Sequence, residues 1–245
     1  MTIALFSDIH ANLPAFEAML HDMDKRNPDA IYCLGDLVGY HIWPNEIIAE
    51  IRDRKIATLK GNHDEKVECV LTTEDSLSLS GKDYAYHLIG QEERTYLKTL
   101  PSHIRLEYKI NAQNFNIVMA HGSTRSINEY ILEDTDQQYI KEMMEEAQAD
   151  ILIVGHSHKP YHRTLLTVEG KCRHIINTGS VGKPKDGDPR GCYVLLTLDS
   201  IYAENDQDSL KVEFIRFDYD IEKAAKAIEN SLLPNDFAEG LRFAR

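Results

Sequence analysis

The first sixty residues alternate between short apolar runs and amphipathic segments, and this alternation limits the possible folds more than any other feature of the chain. Apolar runs at 2–7, 29–34 and 55–60 predict strands, and the segments 13–26 and 46–54 predict helices. Successive strand–helix–strand units place their strands in parallel and join them by right-handed crossovers. The N-terminal part is therefore predicted to form a mostly parallel sheet.

Polar residues follow each of these three strands. Asp8 and His10 follow the first, Asp36 the second, and Asn62 and His63 the third. Ligands of open α/β sheets bind beyond the carboxyl ends of the strands, where these side chains would meet. Asp8 and His10 are two residues apart, so an extended backbone points them the same way, although Asp8 could equally cap the next helix. An amide oxygen beside an imidazole could serve metal binding and proton transfer.

The pattern changes after residue 101, where strands predominate. Apolar and charged residues alternate at 104–110, which predicts a half-exposed strand, and further strands are predicted at 114–120 and 151–154. Four later strands are predicted to be antiparallel, at 161–168, 172–176, 192–198 and 211–216. The remaining helices are predicted at 65–70, 82–89, 91–98, 136–149 and 221–231.

Three segments are expected to lack regular structure. The polar loop 72–80 either covers the site or is an ordinary surface connection. The glycine-rich loop 177–185 either cradles an anion with its backbone N–H groups or is a plain turn. Residues 239–245 are expected to fray, as chain ends commonly do.

Imidazoles also follow two later strands: His121 follows one, and His156 and His158 follow the other. The residues at strand ends offer oxygen and imidazole ligands without a thiolate, which favours Mn²⁺, Fe or Zn²⁺ over a structural cysteine-type zinc site. Their number suits two ions that share a carboxylate, an arrangement that clamps a phosphate group and activates a bridging water. His63 would protonate the leaving oxygen. The complete set is Asp8, His10, Asp36, Asn62, His63, His121, His156 and His158.

Composition narrows the choice of protein class. The 245 residues contain no Ser/Gly/Pro-rich linker, which predicts a single domain over 1–245. A net charge of −13 disfavours non-specific binding to nucleic acid or to an anionic membrane, whereas bound cations would still attract a small phosphoester. Four cysteines without a CxxC pair predict reduced thiols, and no basic, apolar leader is visible. We therefore expect a cytoplasmic monomer or small homo-oligomer.

Five motifs occur in an order that resembles the calcineurin-like metallophosphoesterases, and the resemblance continues through residues 177–190. It implies an α/β fold, a four-layer α/β/β/α sandwich of two mixed β-sheets, with a dinuclear metal centre. The motifs are Asp8-Ile9-His10, Gly35-Asp36, Gly61-Asn62-His63-Asp64, His121-Gly122 and Gly155-His156-Ser157-His158.

The resemblance also implies a role for each residue. His63 would be the general acid, Asp36 would bridge two ions, and Asp64 would orient the turn rather than bind metal. The implied ions are divalent, with Mn²⁺ or Fe favoured and Zn²⁺ or Ni²⁺ also accepted. The first ion would be held by Asp8, His10, Asp36 and His158, and the second by Asp36, Asn62, His121 and His156.

The chain departs from the protein-phosphatase branch of this family. That branch continues its Gly-Asp motif as x-x-Asp-Arg-Gly, where this chain has Gly39, Tyr40 and His41. The orienting aspartate and the phosphate-binding arginine are both missing, which disfavours protein phosphatase activity. The string from Gly35 to Tyr40 resembles instead a branch of small phosphodiesterases and diadenosine polyphosphate hydrolases. That branch usually has glycine and proline where this chain has His41 and Ile42, so loop shape and specificity remain open.

The resemblance therefore implies an enzyme that hydrolyses a small phosphodiester or a nucleotide polyphosphate, such as diadenosine tetraphosphate, through a metal-bridging hydroxide. Alternatives are a phosphomonoesterase and a non-catalytic scaffold, as in a retromer subunit of the family. Tyr40 or Trp43 could stack on a base or simply pack in the fold. The candidate substrate-binding residues are Tyr40, His41, Ser180, Lys183, Lys185 and Arg190.

Overall fold

A computed structural model describes most of the chain. The loop expected at 72–80 falls largely within 71–77, so the two interpretations of that loop lie outside the described residues. The described residues are 1–70, 78–110, 113–168, 170–198 and 210–245.

In the part of the chain that the structure describes, the strands form two mixed five-stranded sheets. In order across the first sheet, the strands are β10 (Leu210–Phe217), β9 (Gly191–Leu198), β1 (Thr2–Phe6), β2 (Ala30–Cys33) and β3 (Ala57–Thr58). β1, β2 and β3 are parallel, which confirms the prediction from the first sixty residues, and β9 and β10 add antiparallel pairs.

The second sheet combines parallel and antiparallel pairs. Its strands, in order, are β4 (His103–Ile110), β5 (Gln113–Ala120), β6 (Ile151–Val154), β8 (Cys172–Asn177) and β7 (Tyr161–Leu166). β5, β6 and β8 are parallel, whereas β4 and β7 are antiparallel edge strands. The prediction that β8 pairs only in an antiparallel manner was therefore wrong on one side, where it lies beside β6.

The helices lie outside the two sheets. The first helix has the predicted bounds, because Asn12 caps it by accepting from the Ala15 N–H at 3.3 Å, and Pro14 lies in its first turn. The described helices are α1 (Leu13–Arg26), α2 (Pro44–Asp53), α3 (Asn62–Lys66), α4 (Tyr84–His87), α5 (Gln91–Thr99), α6 (Gln137–Glu146), α7 (Ile221–Glu229) and α8 (Asp236–Phe243). Among these described helices, none is long and apolar enough to cross a membrane.

Alternation of side chains along β1 separates two apolar layers. Ile3 and Leu5 are buried between the sheets with residues of β5 and β6, whereas Ala4 and Phe6 pack with α1. A third layer joins α6 to the outer face of the second sheet. Full burial of a side chain as large as isoleucine, leucine or phenylalanine contributes roughly 1.5–3 kcal/mol to folding. The result is the expected helix–sheet–sheet–helix sandwich.

Two local predictions were wrong. The third helix was placed at 65–70 but begins at Asn62, so the polar turn is the first turn of α3. The C-terminal segment was expected to fray but forms α8, where Ala238 and Leu241 are buried against α7. Both differences depend on contacts with distant segments, which the local sequence pattern does not contain.

Candidate metal centre

The loops after five strands meet at one edge of the sandwich and bring the predicted residues together. The first sheet supplies residues after β1, β2 and β3, and the second sheet supplies residues after β5 and β6. Except for Asn62 and His63, which are half-buried, these side chains are buried. The residues gathered there are Asp8, His10, Asp36, Asn62, His63, His121, His156 and His158.

Two groups of ligand atoms form within this cluster. In the first group, Asp8 Oδ1 lies 3.2 Å from His158 Nε2 and 3.6 Å from His10 Nε2. In the second, His121 Nε2 lies 3.1 Å from Asn62 Oδ1, and His156 completes a triad with His121 and Asp36.

A single carboxylate oxygen connects the two groups. Asp36 Oδ2 lies 3.6 Å from His10 Nε2 in the first group and 3.3 Å from His121 Nε2 in the second. A carboxylate placed between two sets of ligands is the arrangement that a shared ligand of two ions requires.

Backbone carbonyl groups orient three of the histidines. His10 Nδ1 lies 3.0 Å from the Val38 oxygen, and His121 Nδ1 lies 2.8 Å from the Leu34 oxygen. His158 Nδ1 is bonded in the same way to the carbonyl of Lys183. When Nδ1–H donates to a carbonyl, the neutral form of the ring has its lone pair at Nε2, where a metal ion needs it. All three histidines thus turn Nε2 toward the cluster.

The two aspartates each use one oxygen for the backbone and turn the other into the cluster. Asp8 Oδ2 accepts from the Ser7 hydroxyl and, at 3.1 Å, from the His156 N–H. Asp36 Oδ1 accepts from the His63 N–H at 2.8 Å. The other oxygens, Asp8 Oδ1 and Asp36 Oδ2, are buried without a hydrogen-bond partner among the described residues. Buried carboxylate oxygens that face only imidazole nitrogens are stabilised when a cation binds between them, so the residues present fit metal ions.

The backbone of the cluster is strained. Five candidate ligands adopt left-handed conformations, which cost of order 1–3 kcal/mol each for residues other than glycine and persist where the surrounding structure imposes them. Such outliers concentrate at functional sites, which supports a site here rather than a chance gathering of polar residues. The φ values are 56° for Asp8, 52° for His10, 56° for Asp36, 63° for His156 and 60° for His158.

Asp64 organises the loops rather than facing the ligand groups. Its carboxylate accepts from the N–H groups of Asp36 at 2.8 Å, Leu37 at 2.9 Å and Gly61 at 2.9 Å. The two loops approach so closely that a Cβ on Gly35 would lie 2.3 Å from the Gly61 nitrogen. Glycine is therefore required at this crossing, where the Gly35 φ of 85° also disfavours other residues.

The protonation states of the metal-free cluster suit cation binding with one exception. Burial lowers the pKa of His10 to about 3, and burial together with the charge of His121 lowers that of His156 to about 4. Burial opposes ionisation of Asp8 and Asp36, but the neighbouring histidines hold the pKa of both carboxyls below the usual value. Burial also opposes protonation of His121, yet the nearby carboxylates, Asp36 foremost, raise its pKa to about 10.

The raised pKa of His121 predicts that a proton is released when a metal ion binds. At pH 8 the His121 pKa of about 10 keeps its ring protonated, so an ion that uses Nε2 must displace one proton. Affinity of the second group should then fall about tenfold per pH unit below that pKa. Titration calorimetry of metal-free protein with Mn²⁺ at pH 8, in two buffers of different ionisation enthalpy, measures the release.

We expect the total release to drop by about one proton in the His121→Gln variant. The exposed His21, on α1, provides the control variant His21→Gln, which should release as many protons as the unaltered chain. Equal release with and without His121 would show that this imidazole carries no proton to displace.

His63 lies beside the first group. One of its ring nitrogens lies within 4.8 Å of ligand atoms of His10 and Asp36, and burial lowers its pKa. Its Nδ1 lies 2.5 Å from the hydroxyl of Tyr86. The position is compatible with either a proton donor at the edge of the metal centre or an additional ligand.

Two predicted substrate-binding residues lie behind the site instead. His41 is 1% exposed, and its Nδ1 is 2.6 Å from the His10 carbonyl oxygen. Ser180 is also 1% exposed and donates its hydroxyl to the Asp8 carbonyl at 2.8 Å. Both side chains support the backbone of candidate ligands, so the expectation that they contact substrate is corrected.

The other predicted substrate-binding residues differ in their surroundings. The half-buried ring of Tyr40 lies 4.8 Å from the rings of both His10 and His63, and Lys183 Nζ lies 4.7 Å from the Tyr40 ring. Lys185 is half-buried, and burial lowers the pKa of its ammonium group although the charges of Asp8 and Asp36 oppose this shift. Exposed Arg190 pairs with Asp188 at 2.7 Å. Trp43 is half-buried and packs against the apolar cluster of α7 and α8.

Sequence reasoning missed three aromatic residues around the cluster. Tyr130 stacks on His156 at 4.1 Å, Phe237 contacts Tyr40 at 5.0 Å, and Tyr86 bonds to His63. They come from loops and short helices outside the motifs, and no spacing in the sequence marks them. Two of them, Tyr86 and Phe237, help to form a pocket of about 330 Å³ next to His63, lined by Tyr40, His63, Lys66, Lys82, Tyr86 and Phe237.

Comparison with known proteins places the chain in a family. The profile of the calcineurin-like phosphoesterase superfamily domain matches residues 1–200. The uncharacterized protein MJ0912 of Methanocaldococcus jannaschii is 33% identical over 99% of this chain and 98% of its own length. A metallophosphoesterase structure from Sphaerobacter thermophilus superposes with a TM-score of 0.80 and 27% identity, covering 100% of this chain and 99% of that one.

A second structure agrees in fold: the hypothetical protein PH1004 of Pyrococcus horikoshii has a TM-score of 0.78 at 23% identity, covering 100% of this chain and 98% of that one. Fold, ligand cluster and family match lead to the same class of protein. The chain belongs to the calcineurin-like phosphoesterase superfamily and is a metal-dependent phosphoesterase.

Proposed function

We propose that this protein is a dinuclear metallohydrolase that cleaves a small phosphodiester or a nucleotide polyphosphate. The observation that carries the proposal is the position of Asp36, whose Oδ2 lies between the two histidine groups while its Oδ1 accepts from the His63 N–H. One side chain thereby connects both candidate metal sites to the candidate acid.

Oxygen and imidazole donors would hold the ions, and they favour Mn²⁺ or Fe, with Zn²⁺ or Ni²⁺ also compatible. When bound, two such ions supply Lewis acidity for the phosphate oxygens and for an attacking water. The first site consists of Asp8, His10, Asp36 and His158, and the second consists of Asp36, Asn62, His121 and His156.

His63 contributes acid catalysis in this proposal. Its Nδ1 is engaged by Tyr86, so Nε2 would deliver a proton to the oxygen of the leaving group. Protonation of that oxygen is worth most when the leaving group is a strong base, as an alkoxide is.

The pocket beside His63 supports a nucleotide as leaving group. Its volume of about 330 Å³ is in the range of small-molecule sites, and its walls include the rings of Tyr40 and Phe237. Aromatic walls accept a base, and the ammonium groups of Lys66 and Lys82 would attract additional phosphates. A diadenosine-tetraphosphate-like substrate offers both features.

Two alternatives receive less support. A protein phosphatase of this family would carry an aspartate and an arginine where this chain has Gly39 and Tyr40. A non-catalytic scaffold does not require eight polar side chains in one cluster with two buried, unpartnered carboxylate oxygens among the described residues. We also propose that residues 1–245 form one domain, because both sheets share a core. We further propose that the substrate is a small molecule rather than a nucleic acid and that the protein acts in the cytoplasm.

A product assay tests the proposed function. Purified protein loaded with Mn²⁺ is incubated with diadenosine tetraphosphate, and the products are separated by chromatography with and without chelator. We expect chelator-sensitive hydrolysis, with ADP alone indicating symmetrical cleavage and ATP plus AMP asymmetrical cleavage. 4-Nitrophenyl phosphate serves as the matched monoester. Protein that carries two ions and hydrolyses only the monoester would contradict the proposal.

A further inference from the structure

His63, the proposed acid, lacks the aspartate that orients the catalytic histidine in the protein-phosphatase branch. In that branch, an aspartate near the Gly-Asp motif orients the catalytic histidine, and this chain has Gly39, Tyr40 and His41 there. An unsupported imidazole would sample several orientations, at an entropic cost to proton transfer. The structure shows which group takes this place, since the hydroxyl of Tyr86 lies 2.5 Å from His63 Nδ1.

We propose that Tyr86 is the positioning residue of His63, which it holds by a hydrogen bond at Nδ1 so that Nε2 faces the leaving group. The inference rests on the proposed function, because it assumes that His63 acts as the acid. It adds a residue that comes from α4, outside every motif of the family resemblance.

Tyr86 is itself firmly held. Its side chain is 2% exposed, Lys66 Nζ lies 4.6 Å from its ring, and its carbonyl accepts from the Arg94 guanidinium. Lys66 belongs to α3, the helix that carries His63, and it also pairs with Asp83 at 2.9 Å beside Tyr86. The helices of the acid and of its partner are therefore tied to each other, which fixes the distance between the hydroxyl and the imidazole.

The imidazole is confined on a second side by Gly39. A Cβ at this position would lie 2.6 Å from His63 Nδ1, well inside van der Waals contact, and the Gly39 φ of 92° favours glycine. The rings of His63 and Tyr86 are nearly parallel, at an interplanar angle of 9° and a centroid distance of 6.1 Å. A ring packed against a backbone on one side and bonded to a hydroxyl at one nitrogen has one preferred orientation.

A hydroxyl partner also suits the chemistry of an acid. The imidazolium donates Nδ1–H to the Tyr86 oxygen and transfers the Nε2 proton to the leaving oxygen, after which the neutral ring keeps Nδ1–H and the same bond. Burial raises the pKa of Tyr86 above its usual value, so the phenol stays neutral. Tyr86 thereby provides orientation without the negative charge that a carboxylate partner would bring.

Leaving-group dependence separates positioning from a structural role. The protein as purified with Mn²⁺ is assayed on methyl phenyl phosphate, whose leaving group needs a proton, and on methyl 4-nitrophenyl phosphate, whose leaving group does not. We expect Tyr86→Phe to lower kcat on the phenyl ester about 10- to 100-fold and kcat on the nitrophenyl ester less than about threefold, with KM unchanged. In a His63→Ala background, Tyr86→Phe should change neither rate.

A matched control comes from another buried tyrosine. Tyr193 donates its hydroxyl to Asp22 at 2.8 Å on the α1 face, and Tyr193→Phe should leave both rates unchanged. Equal losses on both esters after Tyr86→Phe, or a further loss in the His63→Ala background, would overturn the positioning role. If His63→Ala itself lowers both rates equally, the acid role of the proposed function fails and the assignment of Tyr86 falls with it.

Discussion

Asp36→Asn is expected to remove or weaken both metal ions and to lower kcat/KM by at least about 100-fold. The amide oxygen can still accept from the His63 N–H, so the loop should fold as before. The amide NH₂ would replace Oδ2, however, and would present hydrogen atoms to His10 Nε2 and His121 Nε2 in place of a negative charge. Metal content per chain after dialysis and steady-state kinetics measure the two effects.

Two further variants make this result specific. Asp8 Oδ1 belongs to the first group alone, so Asp8→Asn should weaken one ion and leave the other bound. Exposed Asp24 pairs with Arg54 far along the α1 face, and Asp24→Asn should retain both ions and full activity. If Asp36→Asn and Asp8→Asn each lose only one ion, Asp36 does not bridge.

His63→Ala is expected to lower turnover by about 10²- to 10⁴-fold, the usual contribution of a general acid, while both ions remain bound. The substitution removes the ring but retains the backbone N–H that donates to Asp36 at 2.8 Å. Side-chain loss therefore separates proton transfer from metal binding. Turnover of a diester with a strongly basic leaving group and the metal content of the same preparation are the measurements.

His21, an exposed histidine on α1, supplies the control variant His21→Ala, which should match the unaltered protein in both measurements. Metal content distinguishes the two readings of the His63 position. A drop to one ion in His63→Ala would make this imidazole a ligand of the first group, where it lies within 4.8 Å of the ligand atoms of His10 and Asp36. Unchanged turnover would remove the proposed acid altogether.

Features that depend on neighbouring residues could be predicted from the sequence. The bounds of α1 follow from a local N-cap at Asn12 and a local apolar stripe, and the structure has the same bounds. The cluster could be anticipated because its members follow apolar strands and parallel strands end at the same edge. Neither inference needed information about distant contacts.

Features that depend on how distant segments pack together could not be predicted in this way. His41 and Ser180 were expected to contact substrate, yet both side chains turn inward and bond the carbonyls of His10 and Asp8. Tyr86 lies 23 residues beyond His63, and only the packing of α4 brings the two together. The left-handed backbone at five candidate ligands could not be predicted either, because aspartate and histidine adopt that conformation more often than most residues but still only in a small fraction of cases.

The candidate metal centre takes side chains from both sheets, and this has a mechanical consequence. Asp8, His10, Asp36 and Asn62 come from one half of the sandwich, and His121, His156 and His158 from the other. Bound ions would cross-link the two sheets, and any displacement of one sheet relative to the other would separate the ligands. Ligands that bind only the native state add to its stability, so loss of metal should weaken the packing between the two sheets. Turnover would then depend on the two sheets remaining packed together. On heating, it should be lost before the individual helices melt.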